Sequence, residues 1–276
     1  TEPPQNNDLT VAIYALNRRN PDSLFTMNAK QEPVPYSIAF TTALPHGVVV
    51  GVHLPDSKEP VPDEIIARLY KEEIPTASGF SGYKQVSWVG GRLAASMATK
   101  GFGFPRRPVL SGPSGEPIYD GGLCVTISHK RTMAVAMVAR QHHGSIGVDL
   151  EIPQKPRTGI AERVLTPAEL AEVRALPKER HWSATIMRFA LKEALYKALF
   201  PRVRRFVDFK EAEIRPDVNG PAKYTLSLRN GEGPFIAEGR IHWIGEHLLA
   251  TAHVREPRKR QRKRQRAPKA TQGADK

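Results

Sequence analysis

The chain has 276 residues, 40% of them hydrophobic, enough for one large domain or two small ones with a proper core. No apolar run reaches the roughly eighteen residues of a membrane span, and the single cysteine, Cys124, excludes an internal disulfide framework and a thiolate metal site. The formal net charge is +13, but the run RKRQRKRQRAPK from Arg258 to Lys269 holds eight of the positive charges and leaves only +5 elsewhere.

That run reads as a disordered tail with enough charge to touch nucleic acid or acidic lipid, or merely to solubilise the chain. One cysteine suits a reducing compartment, so a cytoplasmic location is expected. The polar, Pro- and Asn-rich start is not expected to act as a secretory signal.

In chain order, residues 1–35 read as an irregular lead-in apart from a short apolar piece at 9–16. Strands are expected at 36–42 and 47–54. The segment VPDEIIARLYKEEI (61–74) opens with Pro and acids and then spaces apolar residues at helical intervals. KQVSWVGGRLAASMATKGF (84–102) predicts a second helix, ending near Gly101. The Gly- and Pro-rich stretch 103–122 reads as loop and turn. LCVTIS (123–128) and MAVAMVAR (133–140) predict a hairpin, and SIGVDLE (145–151) a further strand.

A loop at 152–160 leads into LTPAELAEVRAL (165–176). There Thr166, Pro167 and Glu169 have the spacing of a capping box. Residues 182–199 carry the strongest helical pattern. Strand signals follow at 204–215, 222–228, 236–244 and 248–254, the last two flanking a Gly-Glu turn. No alternating βαβ pattern with a nucleotide-binding glycine loop occurs. The fold class is therefore α+β with antiparallel sheets, in two similar halves at 36–147 and 148–256, followed by a basic tail at 257–276.

Four stretches carry candidate chemistry. In IGVDLE (146–151), Asp149 and Glu151 share one strand face and Val148 and Leu150 the other. Two carboxylates about 6–7 Å apart repel unless a cation lies between them, and an all-oxygen set suits Mg²⁺. By spacing alone, a solvated strand end fits them better. In RFALKEALYK (188–197), Glu193 and Lys197 lie one helical turn apart, away from the apolar face of Met187, Leu191, Ala194, Leu195 and Ala198. Lys192 points about 100° away from Glu193, and alone the Glu–Lys pair reads as helix surface. TISHK (126–130) puts His129 at a strand end, as a turn residue or a phosphate donor; Ser128 has no nucleophile elbow around it. In KQVSWVGGR (84–92), Lys84 and Arg92 fall about two turns apart, and Gly90 and Gly91 in mid-helix imply close approach of another segment or a ligand.

The order of these pieces resembles the Sfp-type (EntD-like) 4′-phosphopantetheinyl transferases. Their G-[IV]-D-x-E segment matches Gly147-Val148-Asp149-Leu150-Glu151. Their [FW]-x-x-K-E-x-x-x-K segment matches Phe189 to Lys197, with Lys192, Glu193 and Lys197 in place. Upstream, Lys84, Gly91-Arg92, Gly115-Glu116-Pro117 and Ile127-Ser128-His129 match the family's basic residue, G-R pair, G-x-P loop and [IL]-[ST]-H strand end. Phe189 stands where many members have Trp, and Lys84 where Arg is frequent.

The resemblance implies two pseudo-symmetric α/β halves with coenzyme A in the cleft between them. It implies transfer of phosphopantetheine from coenzyme A to a serine of an apo acyl or peptidyl carrier protein, releasing adenosine 3′,5′-bisphosphate. Such carriers serve polyketide, nonribosomal peptide or fatty acid synthases. Asp149, Glu151 and Glu193 are then expected to hold Mg²⁺, with Mn²⁺ as the alternative, and Glu193, Lys197 and Asp149 to be catalytic. Coenzyme A contacts are expected from Lys84, Arg92, Gly112, Pro113, Ser114, Gly115, Thr126, Ile127, Ser128, His129 and Lys192, besides Asp149, Glu193 and Lys197. Carrier recognition is expected near 152–176. A chain with two such halves has no need to dimerise, so a monomer is expected.

Overall fold

The computed structural model describes residues 33–257 apart from Arg106, Lys155 and Val218; the apolar piece at 9–16 and the basic run at 258–269 lie outside them. The first half runs β1 (Ile38–Leu44), β2 (Gly47–His53), the short helices α1 (Asp63–Ile66) and α2 (Ile74–Ser78), the long helix α3 (Gly82–Gly101), a two-residue pair β3 (Leu110–Ser111) and β4 (Pro117–Ile118), then β5 (Leu123–Lys130) and β6 (Met133–Arg140). The second runs β7 (Ser145–Glu151), α4 (Ile160–Val164), α5 (Pro167–Arg174), the long helix α6 (His181–Val203), β8 (Ala212–Arg215), β9 (Ala222–Leu226), β10 (Ile236–Ile244) and β11 (His247–Arg255). One sheet has the order β1-β2-β6-β5 and the other β7-β11-β10-β9-β8, with every pairing antiparallel. Each half thus sets one long helix on one antiparallel sheet, the α+β architecture expected from the sequence.

Strand alternation sorts the core into layers. Val48, Val50, Val52, Ala136 and Val138 face α3, where Ala94, Ala95 and Ala98 meet them. The alternate residues Val49, Met133, Val135 and Met137 turn inward onto Ile146, Val148, Leu150 and Leu249 of the second sheet. Beyond that sheet, Leu248, Ala250 and Ala252 pack on Ala190, Leu191, Ala194 and Ala198 of α6. The order through the molecule is helix, sheet, sheet, helix. The mid-helix glycines admit chain, not ligand: a Cβ on Gly90 would collide with the Leu54 side chain, and one on Gly91 would sit 2.8 Å from Ile127 Cγ2.

The two sheets meet along their edge strands β5 and β7 without a backbone ladder. Instead the hydroxyls of Thr126 and Ser128 accept the amides of Val148 and Leu150, each at 3.3 Å. These bonds satisfy amides on the edge of β7 that does not pair with β11. The sequence division after Gly147 falls inside β7, which pairs with β11 along its whole length from Ser145 to Glu151.

Three local expectations change. Of the single helix expected at 61–74 only Asp63–Ile66 forms; the next helix starts at Ile74, and just before it Glu73 turns inward to accept Tyr70 N at 3.1 Å and Val109 N at 2.8 Å. Of the strand expected at 204–215, only Ala212–Arg215 pairs; Asp208 and Glu211 form a reciprocal cap on the turn before it. The loop at 103–122 contains the small β3–β4 hairpin. The capping box of α5 forms as expected, with Thr166 Oγ1 accepting Glu169 N and Glu169 accepting Thr166 N.

A Cβ added to Gly147 would overlap the carbonyl oxygen of Ala194 and lie 2.8 Å from the backbone nitrogen of Ala198, both fixed helix backbone. Gly147→Ala is therefore expected to destabilise the fold by about 3 kcal/mol, the upper end of ordinary overpacking costs. Urea denaturation of both proteins measures it.

Candidate active site

Because Gly147 lets β7 lie directly on α6, the alternate residues Asp149 and Glu151 reach the same side as Gly147, toward the helix. Both are buried, at 6% and 3% exposure, so this is not a solvated strand end. Helix α6 presents Glu193 and Lys197 to them. Together with Ser128, His129, Lys130 and Phe189 these side chains line one cleft of about 320 Å³. A second cavity of about 430 Å³ adjoins it, sharing Ile127 and Lys197; Ser114, Gly115, Thr126, Tyr196 and Arg204 form part of its wall.

Asp149 Oδ1 accepts from Ser128 Oγ and from Lys197 Nζ, both at 2.9 Å. Lys197 Nζ also donates to Val148 O at 2.9 Å. Glu151 is held from two sides: Lys130 Nζ lies 2.7 Å from both carboxylate oxygens, and Arg157 donates to Oε2 at 2.9 Å. The Arg157 guanidinium stands 5.6 Å from the centre of the Phe189 ring. Glu193 is half-buried, and among the described residues its carboxylate makes no hydrogen bond or ion pair. Burial pushes its carboxyl above the ordinary range, helped by the charge of Asp149 and opposed by Lys197. His129 is exposed at the end of β5, and lost hydration on its cleft side, then Lys197 and Lys130, hold it below the ordinary imidazole range. It is therefore neutral at neutral pH and retains one N–H donor.

Other expected residues lie elsewhere. Lys192 is 3% exposed and turned into the protein, where its ammonium donates to Glu169 Oε2 at 2.6 Å, Phe209 O at 2.8 Å and Val164 O at 2.9 Å. Three acceptors fill its three N–H bonds, so it ties the end of α4, α5 and the turn before β8 to α6 and has no donor left for a phosphate. Arg92 is buried beneath the β3–β4 hairpin, donating to Ser111 Oγ at 2.8 Å and stacked 4.4 Å from the Trp88 ring. Burial lowers it to about 10. Lys84 is exposed, 4.1 Å over the Phe80 ring. Neither lines the cleft or the adjoining cavity, nor do Gly112 and Pro113, whereas Ser114 and Gly115 do.

Among the described residues no group of three His, Cys, Asp or Glu side chains is arranged to hold a metal ion. The expected triad is not assembled, because Glu151 already neutralises two cations. The other two acids do fit a cation. Asp149 Oδ2 is buried with no hydrogen-bond partner, and Glu193 faces the cleft unpaired. A small, oxygen-liganded dication matches that pair.

The description "4′-phosphopantetheinyl transferase superfamily" matches residues 145–252, and "4′-phosphopantetheinyl transferase N-terminal domain" matches 83–139. The chain is 31% identical over 193 residues to the 4′-phosphopantetheinyl transferase PptT of Mycobacterium tuberculosis, covering 66% of this chain and 84% of that protein. The chain belongs to the 4′-phosphopantetheinyl transferase superfamily. It is 28% identical to the 4′-phosphopantetheinyl transferase Svp of Streptomyces mobaraensis, covering 69% of this chain and 80% of that one. The crystal structure of the holo-[acyl-carrier-protein] synthase of Thermotoga maritima is a slighter likeness, with a TM-score of 0.34 and 23% identity over 41% of this chain and 64% of that one.

In this phosphopantetheinyl transferase the motif glycine is a packing residue, and the acids two and four places beyond it are the ones turned to α6. The sequence reading passed over Lys130 and Arg157. Lys130 was legible by strand period: it lies two residues beyond Ser128 as Glu151 lies two beyond Asp149, so the two strands present matching pairs. Arg157 comes from the loop after β7 and has no such signal.

Because the raised carboxyl of Glu193 holds its proton more tightly folded than unfolded, it costs stability as pH rises through and above the ordinary glutamate range. In EDTA, Glu193→Gln is expected to raise the Tm at about pH 8 and to leave it unchanged at about pH 4, near the ordinary glutamate value. Thermal melts at the two pH values check this.

Proposed function

We propose that this enzyme moves the 4′-phosphopantetheine group of coenzyme A onto a serine of an apo acyl or peptidyl carrier protein, releasing adenosine 3′,5′-bisphosphate. The carriers would be those of polyketide, nonribosomal peptide or fatty acid synthases. The observation that carries the reading is the convergence of Asp149, Glu193, Lys197 and His129 in one cleft beside a nucleotide-sized cavity, in a chain of this family. No helix among the described residues is long and apolar enough to cross a membrane. We place the enzyme in the cytoplasm as a monomer.

In the transfer, the serine oxygen forms a bond to the phosphorus that bears the pantetheine arm. The bond from that phosphorus to the bridging oxygen breaks, and the oxygen leaves with the adenosine 3′,5′-bisphosphate. Glu193 takes the serine proton, directly or across one water, as a carboxylate whose proton affinity burial has raised. Lys197, fixed on Asp149, directs its remaining donor at the negative charge that builds on the leaving oxygen. His129 donates from a neutral ring to a phosphoryl oxygen. Asp149 and Glu193 would hold Mg²⁺, with Mn²⁺ as the alternative, and such a cation supplies charge neutralisation at the phosphoryl oxygens. Ser114, Gly115 and Thr126 line the cavity that takes the nucleotide end.

Incubation with coenzyme A, Mg²⁺ and a panel of apo-carriers is expected to add one phosphopantetheine to a carrier, seen by intact-protein mass spectrometry, and EDTA is expected to stop it. Asp149→Asn and Lys197→Met should each lower kcat by about 10² or more, the usual effect of removing a charge-stabilising group. Coenzyme A binding with no carrier in any synthase class gaining the mass overturns the reading.

A further inference from the structure

Strand β7 runs from Ser145 to Glu151, and its last residues wall the catalytic cleft. Its start, about 20 Å away by strand rise, borders a larger hollow of about 1250 Å³. The β1–β2 turn, the end of β6, the last turn of α6 and β11 enclose this hollow. It shares no residue with the catalytic cleft and meets the 430 Å³ cavity only at Gln141 and Ile146. Its charge is one-sided. Arg140, Arg202 and Arg255 line it against one carboxylate, Glu256. Arg202 is fixed, with Nε donating to Ser145 Oγ at 2.8 Å and Nη1 to Glu256 Oε1 at 3.3 Å. Arg140 and Arg255 are exposed, and among the described residues neither side chain makes a hydrogen bond or ion pair. Arg140 stands over the Phe102 and Phe104 rings, 5.8 and 5.3 Å from their centres. The walls are set without these two cations: His46 Nδ1 lies 2.9 Å from Thr251 Oγ1 across the two sheets, and His253 Nε2 donates to His143 O at 2.9 Å. Like charges gathered in one hollow repel, and an anion between them removes that cost.

We propose that this hollow is a second anion site, separate from the catalytic cleft, and that it takes a phosphate-rich polyanion. Three arginines less one glutamate leave a net charge of +2, which calls for a dianion or more. The three guanidiniums come from different elements, β6, α6 and β11, and so approach from different sides. A tetrahedral phosphate offers oxygens to several forks at once, whereas a carboxylate offers two in one plane. A concave site of this size admits a free oligophosphate or a single nucleic-acid strand and not the flat surface of a bilayer. The chain runs from Pro257, on the rim, directly into the eight positive charges between Arg258 and Lys269. Those charges add long-range attraction of the same sign; the fixed contacts are those of the hollow.

The test is calorimetric titration of the full chain with tripolyphosphate, in EDTA and at low salt. Wild type is expected to bind it. The double variant Arg140→Gln/Arg255→Gln keeps every charge beyond Pro257 and should bind at least about tenfold more weakly, the size of one lost hydrogen bond to a charged group. Its Tm should not change, and each single variant, altered at an exposed side chain, should show part of the loss. Lys197→Met, in the catalytic cleft, should bind within about twofold of wild type, as a distant site would. A short thymidine oligonucleotide and a short polyglutamate peptide are titrated alongside. Oligonucleotide binding at least as tight, and lost in the same double variant, makes nucleic-acid phosphate the source; weaker binding makes it a free oligophosphate. Four results would each overturn the proposal: no tripolyphosphate binding by wild type, binding unmoved by the double variant, binding lost in Lys197→Met, or polyglutamate binding as tight as tripolyphosphate.

Discussion

Strand β7 lies against helix α6 with no side chain between them at Gly147, and the cleft exists because of that contact. Ala194 and Ala198 keep the facing helix surface equally thin. The consequence is geometric. A strand and a helix held at backbone distance bring their next outward residues together, so Asp149 on one meets Lys197 on the other at 2.9 Å and Glu193 beside it. A larger residue at position 147 would lift β7 off the helix and separate the two sequence motifs from which the site is built.

The second constraint is electrostatic. Three carboxylates collected in one partly buried cleft repel, and the protein answers with ammonium and guanidinium groups drawn from three different segments: β5, the loop after β7, and α6. Among the described residues Glu193 alone of the three makes no hydrogen bond or ion pair, and burial, then the charge of Asp149, raises its proton affinity. Lys192, its neighbour in sequence, belongs to another system. It closes a buried pair with Glu169, whose other oxygen accepts Ile214 N at 2.7 Å. Through that pair α5, the turn before β8 and α6 are bonded to one another, which braces the helix that carries Glu193 and Lys197.

Much of this was legible in the sequence. Strand period put Asp149 and Glu151 on one face, helical period put Glu193 and Lys197 on another, and the capping box marked α5. What period cannot supply is the partner across space. The reading placed Lys192 about 100° from Glu193, but nothing in RFALKEALYK says that a buried Glu169 waits there. Nor does VPDEIIARLYKEEI say that Glu73 will leave its helix to serve Val109, thirty-six residues away. Arg92 shows the same limit: a basic residue read as a phosphate contact is occupied with a hairpin that sequence pattern treats as loop. These are tertiary demands that override local propensity.

The hydroxyl contacts between β5 and β7 have a consequence for how the protein behaves among its neighbours. Both are outer strands of their sheets, and an outer strand normally offers a row of bare amides and carbonyls on which another chain can add itself. Here each covers the other, and the donors of β7 at Val148 and Leu150 end on Thr126 and Ser128. Two of the four margins of the two large sheets are thus hidden against intermolecular strand addition, and they are the two that flank the site. Of the other two margins β1 is left outward, whereas β8 gives its Ile214 amide to Glu169 of α5.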